Sequence, residues 1–353
     1  VTGVQTCALP IFFYKYIKYI LIIILILPII DVRILFFLSF STINNPLSLI
    51  KKQTIYNFNL SELNDDVERQ LFKINLTIFY FYVRRKFLLK NKVNYDESNL
   101  LTFQDKLNYL MIHESPQYKS LIVDKIKLRD YSIKILGKNI CVPILKIYDN
   151  IEDIDFTDLP DKFVMKYNHG SGMNIICEDK YKFDINLAKN KLYIWKNLNY
   201  GLLNTEFQYI FVKRKIFIEK FLKKNMVDYK IYCFNGKPKF ILAKKTLYQT
   251  KRITIKNYYN LEWKTIILEK DQNNSTPISK PNKLKLMLKY AKLLSKEFVF
   301  VRVDLYEFNN KIYLGELTFT PCNGFKSWKN NNTSIKLGKL IDVTKIKHYL
   351  FNN

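Results

Sequence analysis

The stretch FVMKYNHGSGMN, Phe163 to Asn174, places Lys166 at the end of an apolar run and follows it with His169-Gly170-Ser171-Gly172. Glycine lets neighbouring backbone N–H groups turn toward one point, and a lysine beside them adds a full positive charge, so the pattern suits a phosphate. The same letters also fit a plain hairpin turn. Other chemistry-bearing residues follow in order along the chain. Asp124-Lys125 and then Arg129 precede the loop. Glu219 to Leu222 reads EKFL, and Asp228 comes soon after. Near the end, RVDLYEFNNKIYLGELT carries Arg302, Asp304, Glu316 and Thr318 on two alternating runs around Asn309-Asn310. Two carboxylates on paired strands, facing a polyphosphate, suit a hard divalent cation.

The elements that must position these groups are legible from periodicity. TFQDKLNYLMIHES has helical spacing at Phe103, Leu107 and Leu110. DKIKLRDYSIKIL reads as a helix opened by Asp124-Lys125 and closed by Gly137. CVPILKIYD is a strand with Pro143 at its edge. LPDKFVMKY and MNIICED read as a hairpin, Leu187 to Leu198 as a helix, and KIFIEKFL as a strand. DYKIYCFNGKPKFILAKK is a hairpin turning at Asn235-Gly236. NKLKLMLKYAKLLSKEF is an amphipathic helix. Helices mixed with antiparallel hairpins imply an α+β fold. Whether Asp304 and Glu316 meet depends on register. A turn centred on Asn310 makes them direct partners, and one centred between Asn309 and Asn310 turns them to opposite faces. The first is expected.

Composition bounds the class. The chain has 353 residues, 48% of them hydrophobic and 25% charged, which fits a globular protein with a core. The net charge of +26 is dispersed and favours anionic partners without choosing one. A nucleic-acid binder would cluster its cations with stacking aromatics on one face, so no nucleic acid is expected. Setting aside Cys7, the cysteines Cys141, Cys177, Cys233 and Cys322 form no C-x-x-C and read as reduced, buried residues of a cytoplasmic protein. Residues 1–11, VTGVQTCALPI, read as a sequencing-adapter artefact and are excluded. Residues 12–40 are a hydrophobic leader or membrane segment, which would bring the protein to the inner face of a membrane. Residues 41–120 read as a helical N-terminal region, with Ser61 as a helix cap.

The order of these motifs resembles the ATP-grasp superfamily, especially its D-alanine–D-alanine ligase branch. LPDKFVMKYNHGSG, DYKIYCFNGKPKF and VRVDLYEFNNKIYLGELTFTP are similar to the TupA-like ATP-grasp family, associated with cell-surface polysaccharide and teichuronopeptide synthesis. The resemblance spans about residues 101–338. It implies two α+β subdomains gripping ATP, within an ATP-grasp domain at 121–340 hinged near 219–222. It implies ATP and Mg2+ as cofactors, with Lys125 and Lys166 on the α- and β-phosphates and the His169–Gly172 loop covering them. Glu219 and Leu222 would frame adenine, and Asp228 would take the ribose hydroxyls. Asp304, Glu316 and Thr318 would hold the metal. Arg302 and Lys166 would act on the transferred phosphoryl group. Many ATP-grasp enzymes have Asn where Thr318 stands, which puts the second metal's geometry in doubt. The implied activity is an ATP-dependent carboxylate–amine ligase forming a C–N bond through an acyl phosphate. Its substrate would be an anionic saccharide or an amino acid. A second reading is a glycosyltransferase of the same pathway, with Asp153 to Asp155 (DID) as its metal motif.

Overall fold

The computed structural model describes residues 99–346, except 205, 249–251, 271 and 273–275. The expectations for the first eleven residues, for the leader at 12–40 and for the cap at Ser61 lie outside the described residues. Among the described residues, no helix is long and apolar enough to cross a membrane.

Helix α1, Phe103–His113, starts with a reciprocal cap in which Thr102 Oγ1 accepts from the Asp105 N–H and the Asp105 carboxylate accepts from the Thr102 N–H. Helix α2, Pro116–Val123, is capped by Ser115 and stops at Asp124. The Asp124 carboxylate accepts from the backbone N–H groups of Ile126 and Lys127, at 2.8 and 3.4 Å, and folds the chain into a tight turn. Helix α3, Leu128–Leu136, begins only after that turn. Asp124-Lys125 therefore does not open a helix. It forms the elbow between two, where the aspartate fills the N–H groups of Ile126 and Lys127 and so caps the turn that precedes α3. Helix α3 ends at Gly137 with φ +70°, as its sequence predicts.

Strands β1 (Ile144–Tyr148), β2 (Phe163–Tyr167) and β3 (Asn174–Cys177) come next. Helices α4 (Ile185–Lys196) and α5 (Tyr200–Leu203) lead to β4 (Ile216–Lys220). These four strands form an antiparallel sheet in the order β1-β4-β2-β3. Residues 221–226 then carry the chain into a second sheet. It holds β5 (Val227–Phe234), β6 (Lys237–Tyr248), β7 (Arg252–Tyr259) and β8 (Thr265–Ile266). After helix α6 (Leu284–Leu294) it is completed by β9 (Phe300–Phe308) and β10 (Lys311–Thr318), in the order β10-β9-β5-β6-β7-β8. Helix α7 covers Asn331–Gly338.

Strand alternation divides the large sheet. Ile231, Cys233, Val301 and Val303 point to one face and pack with Met287, Ala291 and Leu294 of α6 and Leu128 and Tyr131 of α3. Tyr232, Phe234 and Phe300 point to the other and pack with Phe103, Leu107 and Leu110 of α1 and with Trp328. The Phe103 ring meets Phe300 and Trp328 edge-on at 5.3 and 5.2 Å. Helix α1, on the N-terminal side of the expected boundary at 120, thus packs directly on the large sheet. On the same face as this aromatic cluster, Arg302 pairs across from Tyr232, and Lys230 across from Asp304. The aromatic cover ends there and the charged part of the face begins.

The β9–β10 hairpin differs from the expected geometry and reaches the expected result. Asn309 and Asn310 both have positive φ, 46° and 58°, so the turn is a two-residue one centred between them. Pairing runs from Phe308↔Lys311 to Leu305↔Leu314, then shifts by one residue at Gly315. Beyond this bulge Asp304 pairs with Glu316 and Arg302 with Thr318. The turn chosen by asparagine's tolerance of left-handed backbone would have set the acids on opposite faces, and the bulge brings them back to one. A Cβ on Gly315 would lie 2.5 Å from Tyr306 Cε2. Gly315→Ala is expected to cost about 1–3 kcal/mol in urea unfolding. A double-mutant cycle with Tyr306→Ser should show non-additive coupling between the two positions.

Candidate functional site

On the large sheet, Arg302, Asp304, Lys230, Glu316 and Thr318 form one hydrogen-bonded group. Arg302 Nε donates to Asp304 Oδ1 and Arg302 Nη2 to Asp304 Oδ2, both at 2.7 Å. The same Nη2 reaches Glu316 Oε1 at 3.1 Å and Thr318 Oγ1 at 3.0 Å. The Thr318 hydroxyl donates to Glu316 Oε1 at 2.9 Å. Lys230 Nζ bonds Asp304 Oδ2 and lies 2.6 Å from Asp228 Oδ2. Burial pushes the Asp304 carboxyl up to about 6, against the downward pull of Arg302 and Lys230. Burial would raise Glu316 too, but Lys230, Lys125 and Arg302 outweigh it and hold that carboxyl well below the usual range. Burial pulls Lys230 down, yet Asp228 and Asp304 outweigh it and its net shift is upward.

On the small sheet the central acid is Glu219, which is buried. One oxygen accepts from Lys166 Nζ at 2.5 Å and the other from Arg129 Nη2 at 2.8 Å. Arg129 also donates to the carbonyls of Lys125 and Val142. Register places Val164 opposite both Glu219 and Ile176, and Lys166 opposite Phe217. Cross-strand partners share a face, so Val164, Ile176 and Phe217 line the face that carries Lys166 and Glu219. Ile176 is 43% exposed there, on the edge strand β3.

Lys125 joins the two groups. Its Nζ donates to the Gly170 carbonyl and sits 5.9 Å from the centre of the Tyr209 ring. Burial lowers its pKa, while Glu316 of the large sheet and Glu219 of the small one pull it up and Lys166 pushes it down. The elbow that holds it is tied to the Gly-Ser loop through Asn168. That amide donates to Asp124 Oδ1 at 3.0 Å and to the Lys213 carbonyl at 2.9 Å, and accepts from the Lys215 N–H at 2.8 Å.

The sequence matches the family described as TupA-like ATPgrasp over residues 105–342. The chain belongs to the TupA-like ATP-grasp family. A search of curated proteins gave no match. Among solved structures it is similar to a D-alanine–D-alanine ligase from Bacillus anthracis, at 18% identity and TM-score 0.39, over 69% of this chain and 74% of that one. It is also similar to the D-alanyl-alanine synthetase A of Vibrio cholerae, at 12% identity and TM-score 0.38, over 67% and 72% of the two chains. The D-alanine–D-alanine ligase of Helicobacter pylori gives 15% identity and TM-score 0.35, over 63% and 62%.

In this TupA-like chain the structure brings together Lys125, Lys166, Gly170, Glu219, Asp228, Arg302, Asp304, Glu316 and Thr318. Ser171 and Gly172 form the exposed tip of the β2–β3 loop, where Gly172 has φ +78°. His169 turns inward, lies 3.2 Å from the Trp195 carbonyl and packs edge-on against Tyr167. Its ring is thus packed away from the loop tip, which leaves the residue its backbone N–H, the part the sequence reading assigned to the loop. Leu222 is half-buried in the link between the sheets. Lys230, Asn168, Val164 and Ile176 were missed from the sequence. Alternation along β5 with Asp228 could have put Lys230 on the same face as that acid, whereas nothing local marks Asn168. Cys141, Cys177 and Cys233 are buried as expected, and Cys322 is exposed.

The donors Asp304, Glu316 and Thr318 are all oxygens on one face, which fits a hard cation such as Mg2+. Among the described residues no three His, Cys, Asp or Glu side chains converge on one point, so such an ion would need oxygens from a ligand as well. Glu219 is expected to be structural as much as functional. Glu219→Ala leaves Lys166 and Arg129 facing each other unneutralised and should cost about 3 kcal/mol in denaturant unfolding. Glu219→Gln should cost less.

Proposed function

We propose that the chain is an ATP-dependent carboxylate–amine ligase in the synthesis of a cell-surface polysaccharide, of capsule or teichuronopeptide type. The observation that carries this reading is the Arg302, Asp304, Glu316 and Thr318 group on one sheet face, with Lys125 bonded to the Gly170 carbonyl of the Gly-Ser loop. Membership of the ATP-grasp family supports the nucleotide. The ligase would phosphorylate a carboxylate, on an anionic saccharide or an amino acid, and let an amine displace the phosphate.

Each residue then has a task. Lys125 and Lys166 neutralise the α- and β-phosphates, and the Gly170–Gly172 backbone closes over them. Val164 and Ile176 offer an apolar bed for adenine beside the 219–222 segment. Asp228 Oδ1, buried and without a hydrogen-bond partner among the described residues, suits a ribose hydroxyl. Arg302, pinned by Asp304, Glu316 and Thr318, faces the transferred phosphoryl group. Asp304, Glu316 and Thr318 would hold Mg2+. Bound there, the ion would supply charge neutralisation for phosphoryl transfer. The work belongs in the cytoplasm, where ATP is, and at the inner face of the membrane if residues 12–40 enter it. The glycosyltransferase reading gains no support, since Asp153 and Asp155 bond to their own loop through Asn150 and Thr157.

The test is ADP release with Mg-ATP and a panel of anionic saccharides and amino acids, with hydroxylamine added to trap an acyl phosphate as a hydroxamate. Carboxylate-dependent ADP and hydroxamate are expected. Nucleotide binding without either product would overturn the ligase. Lys166→Ala should weaken Mg-ATP binding by about 1.5–3 kcal/mol in calorimetry, the scale of a lost charge-assisted hydrogen bond. Asp304→Asn and Glu316→Gln should keep the fold and abolish ADP release while ATP still binds weakly.

A further inference from the structure

Asp304 is 1% exposed, and both of its oxygens already hold cations. Oδ1 takes Arg302 Nε, and Oδ2 takes both Arg302 Nη2 and Lys230 Nζ. A divalent ion approaching this carboxylate meets two positive charges first. The two cations are not held alike. Arg302 is a planar fork fixed by four hydrogen bonds, to Asp304 twice, to Glu316 and to Thr318. Lys230 is a single ammonium on an unbranched stem, its side chain 11% exposed and its tip held by Asp228 and Asp304. Lys230 is therefore the group that can leave, and its departure uncovers Asp304 Oδ2.

We propose that Lys230 is a positioning residue that couples metal to nucleotide. It occupies Asp304 as a built-in counter-ion and gives up that carboxylate when a nucleotide's anionic phosphates offer its ammonium another partner. Metal and nucleotide then bind together, each raising the affinity for the other by the same factor. The competing possibility is a fixed structural counter-ion that never moves. The proposal rests on the nucleotide reading given above, but its first measurement does not.

The experiment follows free Mn2+ by electron paramagnetic resonance, with and without ADP, in the full chain and in Lys230→Met and Lys230→Arg. Circular dichroism and thermal unfolding check the fold. The unaltered chain should bind Mn2+ weakly alone and about tenfold more tightly with ADP. Lys230→Met should bind Mn2+ alone about tenfold more tightly than the unaltered chain, with a smaller ADP effect, the part that remains being the oxygens ADP itself gives the ion. Lys230→Arg, which keeps the charge, should behave as the unaltered chain does. A folded Lys230→Met with unchanged Mn2+ affinity and an unchanged ADP effect would overturn the proposal. If Lys230→Met does not fold, Lys230→Gln gives the same reading, since its amide still donates to Asp228 without the charge. If ADP binds to no variant, the nucleotide reading fails, and the Mn2+-only comparison still decides whether Lys230 guards Asp304.

Discussion

A charge taken out of water must be met by its opposite, and this requirement organises the space between the two sheets. Left alone, such a charge costs several kcal/mol. Glu219 answers Lys166 and Arg129 on the small sheet. Asp304 answers Arg302 and Lys230 on the large one. Lys125 is drawn by acids of both. The apolar cores lie on either side of the large sheet and hold this polar layer in place. The aromatic cluster under Tyr232 and Phe300 stops the charged face from collapsing or flooding at one end.

Much of this was legible in the sequence, and the exceptions share a physical origin. Hairpins with Asn-Gly or Asn-Asn turns declare themselves, because few residues accept left-handed backbone. The α6 helix declares itself by its apolar stripe. What a strand's neighbours do across the sheet is not local information. Lys230 sits two residues from Asp228 and alternates with apolar residues, as any half-exposed lysine would. Only the pairing of β5 with β9 reveals that it faces Asp304. Ile176 stands in an apolar run, and only the pairing of β3 with β2 puts it, partly exposed, on the face of Lys166.

The acids at 304 and 316 show how two local errors of inference can cancel. A turn centred on one residue and a two-residue turn followed by a bulge produce the same partners. Counting residues between motifs cannot separate them. Gly315 was the sign, being a strand glycine with no turn to serve, and its packing under Tyr306 explains why nothing larger stands there.

The Asn168 amide has a mechanical consequence. Its side chain bonds to Asp124 in the α2–α3 elbow, which packs with the large sheet, and to the backbone at Lys213 and Lys215 on the approach to β4. It works as a rivet joining three segments far apart in the chain. Lys125 of the same elbow ties to the Gly-Ser loop through the Gly170 carbonyl, and Arg129 of α3 ties to Glu219 of β4. No single tie carries this joint, so losing the Asn168 amide loosens the elbow without releasing it. The elbow lysine and the Gly-Ser loop are thereby braced as one part, and the brace rather than side-chain freedom sets the distance between them.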